Sequence, residues 1–155
     1  MFDLGEIKLR IEQKRIFFTR KEVIEPVLKN VLLCGNVHTD SVGRNTYQDE
    51  FKTIYVSNIP DVKSEFFLVT KWGDGQGKKF KQEVKIVDPV NSLEIFNSVG
   101  LESEFKLVNV YHEHIIVGQI FDLFLPMVGR YCIEIYLNGR LKGKTYFNVI
   151  QLGPK

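Results

Sequence analysis

The sequence predicts an all-β domain built as a two-sheet sandwich of eight or nine strands, and three observations carry that prediction. From residue 31 onward, short runs rich in β-branched and aromatic residues recur at 31–34, 51–57, 65–71, 79–87, 93–96, 105–111, 115–121, 130–137 and 144–150, nearly all bounded by Gly, Asn, Asp or Pro. Within 79–87, Lys79, Lys81, Glu83 and Lys85 alternate with Phe80, Gln82, Val84 and Ile86, the period of an antiparallel strand with one face in water. Near the end, Asn138-Gly139 separates the alternating Tyr131, Ile133, Ile135 and Leu137 from a run carrying Phe147 and Val149, which reads as a hairpin. Helical periodicity is sparse after residue 30. Two sheets that each bury one face against the other fit this pattern better than an α/β fold, with a small barrel as the alternative.

Taken in order, residues 1–28 form an N-terminal extension and 29–155 the sandwich domain. In the extension, Ile7, Leu9 and Ile11 alternate as in an added strand, whereas Thr19 and Glu22 have the spacing of a helix-capping box ahead of Val23, Ile24, Val27 and Leu28. Pro26 would interrupt or end such a helix. The Gly-rich stretch at 73–79 is expected to be a flexible connection between strands. Its spacing is one residue short of a Walker loop, and Lys79 stands where that loop has Ser or Thr. The runs at 105–111 and 115–121 are expected in the centre of the core, with 126–129 turning the chain into the last hairpin.

Length and composition bound the function. A chain of 155 residues, 44% hydrophobic, buries roughly 68–70% of its extended surface and needs neither a metal nor a disulfide to close its core. Cys34 and Cys132 are expected as buried free thiols, as in a reducing compartment. The longest stretches without Asp, Glu, Lys or Arg, residues 30–39 and 145–154, fall short of the roughly 20 apolar residues of a spanning helix. The first residues lack the pattern of a secretion signal, so the expected location is the cytoplasm. The net charge of +2 resides in residues 1–30, with seven Lys/Arg against five Asp/Glu, which leaves the remainder neutral and argues against nucleic-acid binding.

The run Val31-Leu32-Leu33-Cys34, the segment Lys85-Ile86-Val87-Asp88-Pro89 and the closing stretch from Gly129-Arg130-Tyr131-Cys132 to Asn138-Gly139 resemble a bacterial, in part phage-associated, domain family of unknown function with an immunoglobulin-like β-sandwich fold. The resemblance covers residues 29–150. It implies a turn at Asp88-Pro89 and a strand beginning at Gly129-Arg130-Tyr131, and it supplies no catalytic residue.

Three function classes follow. The leading one is a non-catalytic protein-interaction or structural module that meets a protein partner or a second copy of itself. Phe17, Phe18, Phe66, Phe67 and Trp72 are the expected contacts, because adjacent aromatics on a strand face opposite ways and one of each pair can stay exposed. A carbohydrate-binding module is the second, on Trp72 and Tyr136 as aromatic platforms. The third is a metal-dependent enzyme in which His112 and His114 point to one side of a strand and His38 or Asp122 completes the site. No cofactor is implied, and no motif marks a hydrolase nucleophile.

Overall fold

A computed structural model describes residues 22–98 and 103–153. Among these there are ten strands and no helix: β1 (Val27–Thr39), β2 (Asn45–Glu50), β3 (Thr53–Val56), β4 (Asp61–Gly73), β5 (Gly77–Val87), β6 (Glu94–Asn97), β7 (Glu104–Leu107), β8 (His114–Leu125), β9 (Gly129–Leu137) and β10 (Arg140–Gln151). They form two sheets, one of four strands in the order β2-β1-β4-β8 and one of six in the order β3-β10-β9-β5-β6, with β7 also paired to β5. All pairings are antiparallel except that of β3 with β10.

Each of the nine expected runs falls on a strand. The tenth, β2, reads Asn-Thr-Tyr-Gln-Asp-Glu and lies at the edge of its sheet, where both faces and one side meet water, so its sequence carries no apolar alternation. The segment 105–111 is strand only as far as Leu107. Phe105 and Leu107 do enter the core, but Tyr111 lies beyond the strand and is 90% exposed. The expected central strand at 115–121 is instead part of β8, an edge strand with only every second residue turned inward.

The core is the layer between the sheets. Phe66, Leu68 and Trp72 from β4 face Phe80, Val84 and Ile86 from β5, and Tyr131, Ile133, Ile135 and Leu137 from β9 fill the space beside Phe147 and Val149 of β10. Two aromatic groups anchor its ends. At one, Tyr131 stacks on Phe147 at 5.1 Å and Phe66 meets Phe51 edge-on; at the other, Phe105 touches both Trp72 and Phe80. The turns obey their residue chemistry. Asn138 and Gly139 have φ of 48° and 82°, the positive values that a two-residue primed turn requires, so the hairpin closes without the longer loop that residues 140–143 would allow. Asp88 Oδ1 accepts the backbone N–H groups of Val90 and Asn91, which makes the turn expected at Asp88-Pro89.

β4 and β5 are consecutive in the chain but belong to different sheets, and only residues 74–76 connect them. The connection is pinned rather than loose. Ile24 and Gln76 exchange two backbone hydrogen bonds of 2.8 and 2.9 Å, Gln76 Nε2 donates to the Glu22 carbonyl, and Lys29 Nζ donates to Asp74 Oδ2 at 2.6 Å. Residues 22–28 are therefore extended, not helical: Pro26 is buried against the connection and β1 has begun by Val27. Thr19, the alternation at Ile7, Leu9 and Ile11, and Phe17 and Phe18 lie outside the described residues. Inside the core, Gln82 Oε1 of β5 accepts from Thr70 Oγ1 at 2.5 Å and Trp72 Nε1 at 2.8 Å of β4, so one buried amide ties the two sheets together. Among the described residues, no buried side-chain polar atom lacks a hydrogen-bond partner.

Two outcomes follow. Gln82→Ala strands two buried donors at about 1–3 kcal/mol each, so urea unfolding should show a loss of roughly 2–6 kcal/mol. Gly75→Ala would place a Cβ 2.6 Å from Pro26 Cα, and hydrogen exchange should show the Ile24 and Gln76 amides losing protection together while the β9–β10 hairpin keeps its own.

Candidate interaction face

Because Phe66, Leu68, Thr70 and Trp72 point into the core, Phe67, Val69 and Lys71 on the same strand point outward. The register brings apolar neighbours to them from both sides. Leu32 of β1 and Val117 of β8 flank Val69, Cys34 flanks Phe67, and Ile115 and Phe121 lie one row away along β8 at Lys71 and Glu65. Ile115, Val117 and Phe121 are 43, 37 and 57% exposed, whereas Val69 and Cys34 are buried although neither belongs to the intersheet core. The outer face of the four-stranded sheet thus carries a second apolar cluster of its own, running across three strands.

Asp122 extends this strip. Its φ of 50° interrupts the alternation of β8, so that Ile120 and then Leu123 and Leu125 turn inward while Phe121 and Phe124 both stay out. Phe124 pairs with Val62, and both are about half exposed. Polar groups frame the strip. Lys71 Nζ stands 3.9 Å from Glu113 and Asn30 and Glu50 occupy the β1 side, while Gln119, which donates to Glu65, sits within the strip between Val117 and Phe121.

The outer face of the six-stranded sheet differs over its centre. Arg130 covers the ring of Tyr146 at 4.0 Å, Lys85 covers that of Tyr136 at 5.0 Å, and Lys144 stands 4.0 Å from Glu134, which also accepts from the Tyr136 hydroxyl. Over its centre these aromatic rings and charges are engaged with one another, while Tyr55 of β3 and Ile150 of β10, paired in register, stay 62 and 45% exposed at its edge.

Of the residues singled out in the sequence, Phe67 lies in the outer strip, half-buried. Phe66 and Trp72 are fully buried in the core, which corrects their expected role as contacts: the period of two sends them inward, and the indole N–H is used by Gln82. With Trp72 inside and Lys85 over Tyr136, neither residue offers an open aromatic platform. The histidines do not converge. His112 lies in the turn after β7, its N–H bonded to the Asn109 carbonyl, and His114 turns inward to stack on Phe105 at 4.8 Å. His38 is ten residues along β1 from Leu28, which shares a row with Trp72 and His114, a separation of about 30 Å along the strand. Asp122 sits eight residues along β8 from His114. Among the described residues, no three His, Cys, Asp or Glu side chains group as metal ligands do.

The two cysteines are free and lie in different sheets. Cys34 is buried as expected, but Cys132 is only half-buried, since it faces outward from β9. Burial raises both thiols above their ordinary pKa and disfavours the nucleophilic thiolate. The strip formed by Leu32, Val69, Ile115, Val117 and Phe121 was not singled out in the sequence, because β8 reads as a core strand until its edge position is known.

A family model described as a family of unknown function (DUF6941) matches residues 29–150. The chain belongs to this family. The match begins two residues inside β1 and ends within β10, so it takes in both sheets of the sandwich. No curated protein sequence matches the chain. Among solved structures, Pseudomonas fluorescens alkylpurine DNA glycosylase AlkC bound to DNA containing an abasic site analog is similar with a TM-score of 0.43 and 10% identity, over 77% of this chain and 30% of that one. The chain thus spans under a third of that protein, and at this identity and score the likeness says nothing about what the chain binds.

Burial holds the pKa of His114 below its ordinary 6.5. The unfolded chain therefore takes up the proton more readily, and unfolding free energy should decline as pH falls through and below that value. Chemical denaturation across pH 5–8 checks this, with His114→Gln expected to flatten the slope.

Proposed function

We propose that this chain is a non-catalytic docking module that binds a protein partner through the outer face of β1, β4 and β8. The single observation that carries the reading is the apolar cluster that continues across β1, β4 and β8 with polar groups around and within it, as in an interface, whereas the centre of the other outer face is covered by cation–aromatic and ionic contacts and its exposed Tyr55 and Ile150 lie at the β3 edge. The occupant is a protein surface with a complementary apolar ridge, since a nearly flat sheet face gives a small molecule no enclosure. Raised thiol pKa values and separated histidines favour binding over chemistry.

Two features support an immunoglobulin-like identity for the sandwich. The pairing order β1-β4-β8 against β3-β10-β9-β5-β6 matches the A-B-E and A′-G-F-C-C′ order of such domains, with β4 to β5 as the crossing from one sheet to the other. The Tyr131 hydroxyl, near the start of β9, donates to the Met127 carbonyl four residues upstream at 2.6 Å, in the manner of a tyrosine corner. A bacterial, phage-associated setting rests on the sequence resemblance alone and indicates where to seek the partner. Cytoplasmic location belongs to the same proposal.

Val117→Glu and Phe121→Glu place charge on exposed positions of the strip without touching the core. In proximity capture from the native host, the partner recovered with the natural chain should be lost with either variant and retained with Tyr146→Glu on the opposite face. Equal recovery by all of these, or loss with Tyr146→Glu alone, would contradict the assignment. Sedimentation of the purified chain shows whether the partner is a second copy, in which case the dimer should dissociate with Val117→Glu.

A further inference from the structure

A cleft of about 610 Å³ opens at the end of the sandwich where β5, β7 and the β9–β10 turn meet, far from the outer strip in character. Its floor is the buried Phe80 and Leu107, its sides are the exposed Val108 and Val23, and its rim carries Lys78, Lys79 and Lys106. Among the described residues, no acidic side chain lines it. Among the described residues these three lysines form no ion pair, whereas the nearby Arg140 and Lys142 are both held by Glu25. Three like charges gathered in one concavity repel one another, and an anion is what would relieve that repulsion.

The lysines are placed by a specific backbone device. The register of β5 against β7 slips between Gly77 and Phe80, so Lys78 and Lys79 both stay exposed instead of alternating, and Lys106 projects from the neighbouring strand between the inward Phe105 and Leu107. Gly77 makes the slip possible. Its φ is +153°, and a Cβ there would stand 2.7 Å from the Phe80 ring. Asn138, at the tip of the hairpin turn, fixes the other side: its Oδ1 accepts the Lys81 N–H at 2.8 Å, and its Nδ2 donates to the Lys79 carbonyl. Val23 is held in place by its neighbours' bonds to Gln76.

We propose that this cleft binds an acidic peptide segment that carries one apolar anchor. The volume lies in the range of roughly 300–1,000 Å³ typical of ligand sites, the floor accepts one aliphatic or aromatic side chain, and the three ammonium groups match carboxylates on either side of it. A nucleic acid fits less well. Basic tracks for nucleic acid are long and supply open aromatic faces for stacking, whereas this cleft is compact and the ring in its lining, Phe80, is 2% exposed. The inference is independent of the outer strip and survives or fails without it.

The probe is a fluorescein-labelled heptapeptide with three acidic residues on each side of one leucine, followed by anisotropy at low salt. Saturable one-to-one binding is expected, weakened about two- to fivefold by each of Lys78→Gln, Lys79→Gln and Lys106→Gln, and more than tenfold by all three together. The same peptide with amides in place of carboxylates, or with glycine in place of leucine, should bind more weakly. All three substitutions lie on exposed side chains and leave the fold intact. Binding indifferent to the lysines, binding indifferent to the leucine, or a single-stranded oligonucleotide of equal charge that competes at lower concentration would each overturn the proposal.

Discussion

The rest of the structure depends on how the chain passes from one sheet to the other between β4 and β5. Three residues make the crossing, and the two strands they join then lie face to face across the core. That arrangement brings Thr70, Trp72 and Gln82 together, and the Gln82 carbonyl satisfies two donors that would otherwise be costly to bury. Hydrophobic contact between sheets is tolerant of sliding. A buried amide with two fixed partners is not, so the knot fixes the register of the sheets while the surrounding Phe66, Ile86, Ile133 and Phe147 supply most of the burial. The crossing itself is clamped from outside by Ile24, Glu22 and Lys29, which makes residues 22–28 a working part of the sandwich.

Once the register is fixed, inside and outside follow along every strand. Putting Trp72 and Thr70 in the core obliges Phe67 and Val69 to face out, and the rows that pair with them gather Leu32, Cys34 and Val117 on one surface. The same alternation on β5 and β9 turns Lys85, Glu134 and Tyr136 outward, where they engage one another. Local departures from alternation do the rest. Asp122 keeps two phenylalanines of β8 outside, and the slip between Gly77 and Phe80 leaves two consecutive lysines at a cleft. Both of the proposed binding surfaces therefore arise where the period of two is either enforced by the core or broken by a single residue.

Much of the fold was legible in the sequence because burial writes itself as alternation. The Lys79-to-Ile86 pattern, the Asn138-Gly139 turn and the aromatic residues Phe80, Phe105, Tyr131 and Phe147 took their expected places, whereas Tyr111 and Phe121, equally expected in the core, are exposed. The strand β2 was not legible, since an edge strand wet on both faces has no reason to alternate. The candidate surfaces were harder still. Phe66 and Trp72 drew attention as large aromatics, but only the strand pairing tells which of Phe66 and Phe67 points inward. Ile115 and Val117 carry the same letters as core residues, and their exposure is set by the edge position of β8, which no local pattern encodes. His112 and His114 looked paired at a spacing of two, yet that spacing aligns side chains only inside a strand, and β8 begins at His114.

A double-mutant cycle on the intersheet knot tests the central claim most directly: Gln82→Leu, Trp72→Phe and the two combined, each unfolded in urea. If the Gln82 amide couples the sheets as described, the double variant should be less destabilised than the sum of the singles by about 1–3 kcal/mol, and Gln82→Leu paired with Thr70→Val should behave likewise. Strict additivity in both cycles would contradict the account, because it would mean that the register, and with it the outward display of Phe67, Val69 and Val117, is held by apolar packing alone.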